Sequence, residues 1–194
     1  MEASVMDVAN LGPGERLTPA RGVNICLLDH YHCLAVHVWA CREFFHRNLG
    51  QCCTVRIECD DGSEMGMWLT ATNTSCEVTH GREGNGVPGR LHHIALALDS
   101  REAILQAADT FVEAGVAIEN GPHKHAIQQR FFLHVNQPGG DRIKLAHSGA
   151  RLILTPGRRT ITWPEAERNR GQAWGLKLTD FLCTHATPPL PEKE

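Results

Sequence analysis

Between Asn24 and His147 the spacing of apolar and polar residues runs through the same series of periods twice. The first pass opens on NICLLDHYHCLAV, read as a strand ending at Val36. HVWACREFFHRNLG follows, where Val38, Cys41, Phe45 and Leu49 recur at helical spacing and Gly50 supplies a C-terminal stop. Three short strands come next, TVRIEC (54–59), GMWLTAT (66–72) and CEVTH (76–80). The turn residues Asp60-Asp61-Gly62 and Asn73-Thr74 part them.

The second pass opens on RLHHIALALD, in which Ile94, Leu96 and Leu98 alternate as a half-buried strand requires. Asp99 and Glu102 make a capping-box variant, and Ile104, Ala108, Phe111 and Gly115 trace one face and the end of a helix. The strands VAIEN (116–120), RFFLHVN (130–136) and DRIKLAH (141–147) complete the pass. The order β-α-β-β-β therefore occurs in tandem, over about 24–80 and 89–147.

The pattern predicts an α+β chain whose two units pair curved sheets into a cup, with a ligand or metal pocket between them. Residues 1–22 read as a flexible leader and 23–188 as one domain. Within that domain, 148–188 holds a Pro-punctuated strand (RLILTP) and a Trp-containing stretch that wrap the cup. The end, TPPLPEKE, is too polar and Pro-rich to pack, and 189–194 reads as a disordered tail.

Charge narrows the partners. A net charge of -3 arises from interspersed acids and bases, so nothing steers the chain to nucleic acid or to an anionic membrane surface. No apolar run approaches the ~20 residues of a membrane helix. The first residues lack the layout of a secretion signal, which makes the cytoplasm the expected location. The 8 cysteines include no CxxC pair, and most are expected to be small buried hydrophobes.

The segments LLDHYHCL, GRLHHIALALDSREAILQAADTF, GPHKHAIQQRFFL, NQPGGDRI and TWPEAERNRGQAWGLK, in that order, resemble consecutive motifs of the catechol 2,3-dioxygenases. These are extradiol ring-cleaving enzymes of vicinal oxygen chelate fold, and the resemblance runs from Arg21 to Pro188. It implies Fe(II), a small aromatic diol and O2 as cofactor and substrates. Two histidines and a carboxylate would hold the metal on one face, leaving open positions for the reactants. The resemblance puts the histidine ligands at His30 and His93, in the opening strands of their units, so the repeat itself sets them facing across the cup. His32 shares the strand face of His30 and reads as its neighbour.

Three positions depart from the family pattern. Lys144 stands where the resemblance puts the carboxylate ligand, and an ammonium has no lone pair to give. Its repulsion of a divalent cation would be on the order of 8 kcal/mol at ~4 Å and an effective dielectric of ~20. Cys76 takes a position held in the family by histidine or tyrosine, and His134 replaces a tyrosine. His134 is then either a polar wall residue or a third imidazole on the metal. His125 matches the family's acid-base histidine, a role suited to a side chain that titrates near neutrality, while His123 reads as a solvated loop residue. His125 and His134 are thus the candidate catalytic residues.

Relatives carry a further pair of units ahead of this one, which the leader is too short to supply. Exposed surface and a homo-oligomer are therefore expected. The chain reads as an extradiol dioxygenase with impaired turnover. The alternatives are a vestigial aromatic- or metal-binding pocket and an oligomeric interaction domain.

Overall fold

Each apolar cycle of the sequence becomes one sheet-and-helix unit in the computed structural model, which describes residues 22–147, 158–168, 173–174 and 179–188. The first unit is β1 (Leu27–Ala35), α1 (Val38–Leu49), β2 (Cys52–Glu58), β3 (Glu64–Thr70) and β4 (Val78–Arg82). The second is β5 (Arg90–Ala97), α2 (Arg101–Glu113), β6 (Ile118–Lys124), β7 (Phe131–Asn136) and β8 (Arg142–His147). Beyond them lie β9 (Ile161–Pro164), α3 (Glu165–Arg168) and α4 (Asp180–Thr184).

The nine strands of the described residues form one mixed sheet of order β6-β7-β8-β5-β1-β4-β3-β2-β9. Strand order within the units is equivalent: the opening strand pairs parallel with the last strand of its own unit, β1 with β4 and β5 with β8. The two units join through the antiparallel pair β1 and β5. This is the α+β arrangement expected from the repeat, with the two half-sheets fused into one. Side chains from β2 at one end to β7 at the other line a single cavity, so the sheet curls around it.

Strand alternation separates core from cavity. On the helix side, Leu98, Ile104, Ala107, Phe131, Leu133 and Leu145 form one buried cluster under α2. Ala35, Val38, Met67, Leu69 and Val78 form the other under α1. The opposite side of the same strands carries His30, His93, His134 and Lys144 to the cavity. Because the period of a strand is 2, each residue committed to a helix-side cluster fixes its neighbours toward the cavity.

Several local expectations shift. The α2 cap is Ser100, whose Oγ accepts from the Ala103 N–H at 2.9 Å, one residue later than the Asp99 variant. Leu49 is exposed, because α1 turns only Val38, Cys41 and Phe45 onto the sheet. β3 stops at Thr70: Thr70 Oγ1 accepts from the Thr72 N–H and Thr72 Oγ1 from the Thr74 N–H, which offers the backbone local partners in place of a ladder. β6 runs past Asn120 into GPHK, so His123 is a strand residue, 2% exposed and packed beside Trp174, and not a solvated loop histidine. Gly121 lets the chain pass β7 here: with φ +97, a Cβ would stand 2.6 Å from Phe132 O.

The cysteines are all free, and only Cys59 and Cys76 are fully buried, fewer than expected. The expected leader and tail and the strand RLILTP fall outside the described residues, apart from Gly22 in the leader. Among the described residues no helix is long and apolar enough to cross a membrane.

Candidate functional site

Two β-bulges build the site. Across β1 and β5, Leu28 pairs with Leu96 and His30 with Ala95, so Asp29 is an extra residue. His32 pairs with His93 and Cys33 with Leu91, so His92 is another. A bulge breaks strict alternation and re-aims side chains. His92 and His93 accordingly both line the cavity, though adjacent in sequence, and Asp29 comes beside the ring of His30.

The hydrogen bonds assign the ring tautomers. Asp29 Oδ2 lies 2.5 Å from His30 Nδ1, so Nδ1–H donates to the carboxylate and Nε2 keeps its lone pair. Arg130 Nη1 also donates to Asp29, and Arg130 Nη2 donates to Ser75 Oγ at 2.9 Å, which fixes the carboxylate. On the other side, His92 Nε2 is 2.6 Å from Leu182 O and donates to it. Arg142 Nη1, near the same nitrogen, finds its acceptor in His185 O at 2.9 Å. His92 Nδ1 therefore accepts from His93 Nδ1–H at 2.6 Å, and His93 Nε2 also keeps its lone pair.

Those two lone-pair nitrogens, His30 Nε2 and His93 Nε2, are 3.3 Å apart. Both rings are almost wholly buried, at 3% and 4% exposure. Burial pushes His30 down to about 3, against the opposing pull of Asp29, and His93 well below the ordinary histidine range. Neutral imidazoles whose outer nitrogens are pinned, one by a carboxylate, are the form in which histidine binds metals. Two nitrogens at ~2.1 Å from one cation and adjacent in its coordination sphere must stand ~3.0–3.4 Å apart, so this pair fits a divalent transition metal.

The third position does not supply an anion. Lys144 on β8 is 4% exposed, and its Nζ lies 3.0 Å from His125 Nε2 and 5.2 Å from the centre of the Phe132 ring. Among the described residues no carboxylate forms an ion pair with it. Burial, then Arg130, push its amine from 10.5 down to about 7.

His134 pairs across the ladder with Lys144, and its ring centre is 5.3 Å from that of His93. Neither of its nitrogens has a hydrogen-bond partner among the described residues. His125 stacks on Phe132, ring centres 4.0 Å apart, and lines the same cavity. Cys76 is buried, with Sγ 3.8 Å from Gln128 Oε1. Among the described residues, the group of three whose ligand atoms all lie within 4.8 Å of one another is His32, His92 and His93. His92 already spends both nitrogens, which favours the opposite side of His93, facing His30, as the cation position.

Sequence reasoning did not anticipate Asp29, His92, His80 or Leu182 as parts of the site. The HH pair gave a signal, but period 2 sent one of its members outward, and only a bulge returns both. His32 fits its place because Gly81 has no side chain: a Cβ there would stand 2.8 Å from His32 Nε2.

A curled mixed sheet of two β-α-β-β-β units with paired histidines at its seam defines a class of chelate-type pockets. Residues 27–145 match the glyoxalase/bleomycin resistance protein/dioxygenase superfamily, and the chain belongs to it. Within that superfamily it is similar to extradiol ring-cleaving dioxygenases. It is 34% identical over 158 residues to a manganese-dependent 2,3-dihydroxybiphenyl 1,2-dioxygenase of Geobacillus genomosp. 3, covering 80% of this chain and 50% of that one. It is 30% identical over 172 residues to a metapyrocatechase of Geobacillus stearothermophilus, covering 88% and 52%. Among solved structures it resembles the anaerobic substrate complex of homoprotocatechuate 2,3-dioxygenase from Brevibacterium fuscum with 3,4-dihydroxyphenylacetate. There the TM-score is 0.77 at 25% identity, covering 84% of this chain and 50% of that chain. The chain spans about half the length of the curated relatives it matches.

Proposed function

We propose that this chain is a catechol- and metal-binding domain of extradiol type in which His30 and His93 hold a divalent cation without a carboxylate from β8, so that cation affinity and ring cleavage are both reduced. The observation that carries the reading is the 3.3 Å approach of two imidazole lone pairs whose other nitrogens are pinned by Asp29 and His92. The names of the relatives point to Mn(II) and to catechol-type substrates, and the resemblance to catechol 2,3-dioxygenases adds Fe(II). When bound, such a cation supplies open positions for the two oxygens of a catechol and for dioxygen.

The chain's own residues do the rest. A cavity of about 200 Å³ suits one substituted benzene ring. Trp68, Leu34 and Leu182 give it apolar wall, and buried neutral imidazoles give it acceptors for hydroxyl protons. His125 carries the proton-transfer role, and His134 serves as a polar wall residue. Lys144 leaves the cation's charge uncompensated, which is the reason for reduced affinity. The exposed Leu27, Leu28, Trp39 and Phe44 favour self-association, which light scattering reads directly.

Anaerobic titration with Fe(II) and with Mn(II), then with catechol, followed by admission of air, tests the reading. Weak cation uptake that disappears in H30A and H93A, catechol binding, and slow formation of a yellow ring-cleavage product are expected. Absence of both cation and catechol binding would overturn it.

A further inference from the structure

The cavity also holds a nucleophile that the proposed metal chemistry does not use. Lys144 is buried, yet its ammonium form would have no carboxylate to pair with among the described residues. The polar contact of its Nζ is the ring of His125, at 3.0 Å, and an aromatic face, Phe132, lies on another side. A buried charge without a counter-ion is strongly disfavoured, so such an amine discards its proton. Half-buried Arg82 and Cys183 belong to the same cavity lining, which therefore reaches the surface.

We infer that Lys144 is an imine-forming lysine that captures small aromatic aldehydes in this cavity, with His125 as its proton partner. The neutral amine attacks the aldehyde carbon, a C–N bond forms, and the carbonyl oxygen gains a proton. His125 relays to that oxygen the first proton that the attacking nitrogen sheds, then gives the resulting hydroxyl a second, so that it leaves as water when the C–O bond breaks, and recovers that second proton from the iminium nitrogen. Amine and aldehyde thus give imine and water, with no oxidant or reductant. The fall of the amine to about 7 agrees with a substantial unprotonated fraction at neutral pH. An aryl carbonyl is favoured over an aliphatic one because the rings of Trp68, His93, His125 and His134 surround the space it would enter.

The inference goes beyond the metal reading and does not need the cation. The full-length chain, kept in EDTA, is incubated with 2-hydroxybenzaldehyde and sodium cyanoborohydride at neutral pH. The hydride reduces any imine to a stable secondary amine, and peptide mapping locates it. One arylmethyl group on Lys144 is expected, formed faster than any on Lys124, Lys177, Lys193 or the N-terminal amine. Lys144→Met, with an unchanged circular dichroism spectrum, loses it. Catechol added in excess slows capture by competing for the cavity, and His125→Gln slows it by on the order of 10². No adduct on the wild-type Lys144, or labelling spread evenly over the lysines, overturns the proposal. An unchanged rate in His125→Gln overturns the role of the imidazole. Because metal is excluded throughout, failure here is distinct from failure of the cation titrations.

Discussion

His30 Nε2 and His93 Nε2 face each other at 3.3 Å, each turned there by a different partner on its far nitrogen. The carboxylate of Asp29 raises the basicity of His30 and fixes its tautomer. Asp29→Asn keeps the shape and removes the charge. The cation affinity is expected to fall 10- to 100-fold, as for other losses of a partner behind a metal-binding histidine. Anaerobic Mn(II) titration by calorimetry checks this, with thermal melting beside it because Arg130 loses its pair in the same variant.

Lys144→Glu tests charge at the third position. Replacing an amine with a carboxylate supplies an anionic oxygen beside two neutral nitrogens, an attraction for a divalent cation worth several kcal/mol. Fe(II) and Mn(II) affinity is expected to rise by about tenfold or more in the same titration. An unchanged affinity would mean that geometry, and not charge, keeps the third ligand from the cation.

His134 offers the contrasting case. It sits opposite Lys144, with neither nitrogen partnered among the described residues, and as the proposed wall residue it should contribute nothing to cation binding. His134→Phe, close in shape, is expected to leave Mn(II) affinity within about twofold. A loss of tenfold or more would instead establish an all-histidine centre of the kind that zinc accepts.

Much of this arrangement was legible in the chain. The tandem order of periods foretold two equivalent units, and Val38, Leu98 and Ile104 were readable as core because they recur with the period of their element. The resemblance pointed to His30 and His93, and the repeat gave a physical reason for them to face one another across the seam, where their Nε2 atoms stand 3.3 Å apart. Asp29 and His92 were not, since a bulge is an extra residue and alternation carries no sign of one. His123 was misread for a related reason: GPHK looks like a turn, yet Gly121 allows the strand to continue against β7. Nor does the sequence around Arg142 reveal its partner, because Glu119 lies on a strand two places away in the sheet.

The depressed amine of Lys144 makes stability depend on pH in a defined window. Its value in the folded chain, about 7, lies below the ordinary 10.5 that it regains on unfolding. Between those values the unfolded chain holds a proton that the folded chain does not, so stability rises with pH by up to ~1.4 kcal/mol per unit. Below about 7 both states are protonated, and the penalty is constant and complete. Lys144→Met lacks this term and is expected to be more stable than the wild type at pH 6, the difference shrinking toward pH 10. Urea unfolding of the pair across that range reads the lysine together with its coupling to Cys76, whose thiol burial pushes up and Lys144 pulls down.

Arg142 and Glu119 hold the second unit to the C-terminal segment. The guanidinium is wholly buried and meets the carboxylate twice, Nε to Oε2 at 2.6 Å and Nη2 to Oε1 at 2.5 Å. Its remaining nitrogen donates to His185 O, so one side chain ties β8, β6 and the end of α4 together. A buried pair of this kind contributes little net stability as formed, yet removal of one charge strands the other in low dielectric. Glu119→Gln is therefore expected to destabilise the chain by about 3 kcal/mol, read by urea unfolding at neutral pH. The same variant loosens the support behind His92, through which Leu182 and His93 are linked. It should weaken Mn(II) binding as well, whereas Glu119→Gln combined with Arg142→Met, which removes both charges, should recover most of the stability without restoring that support.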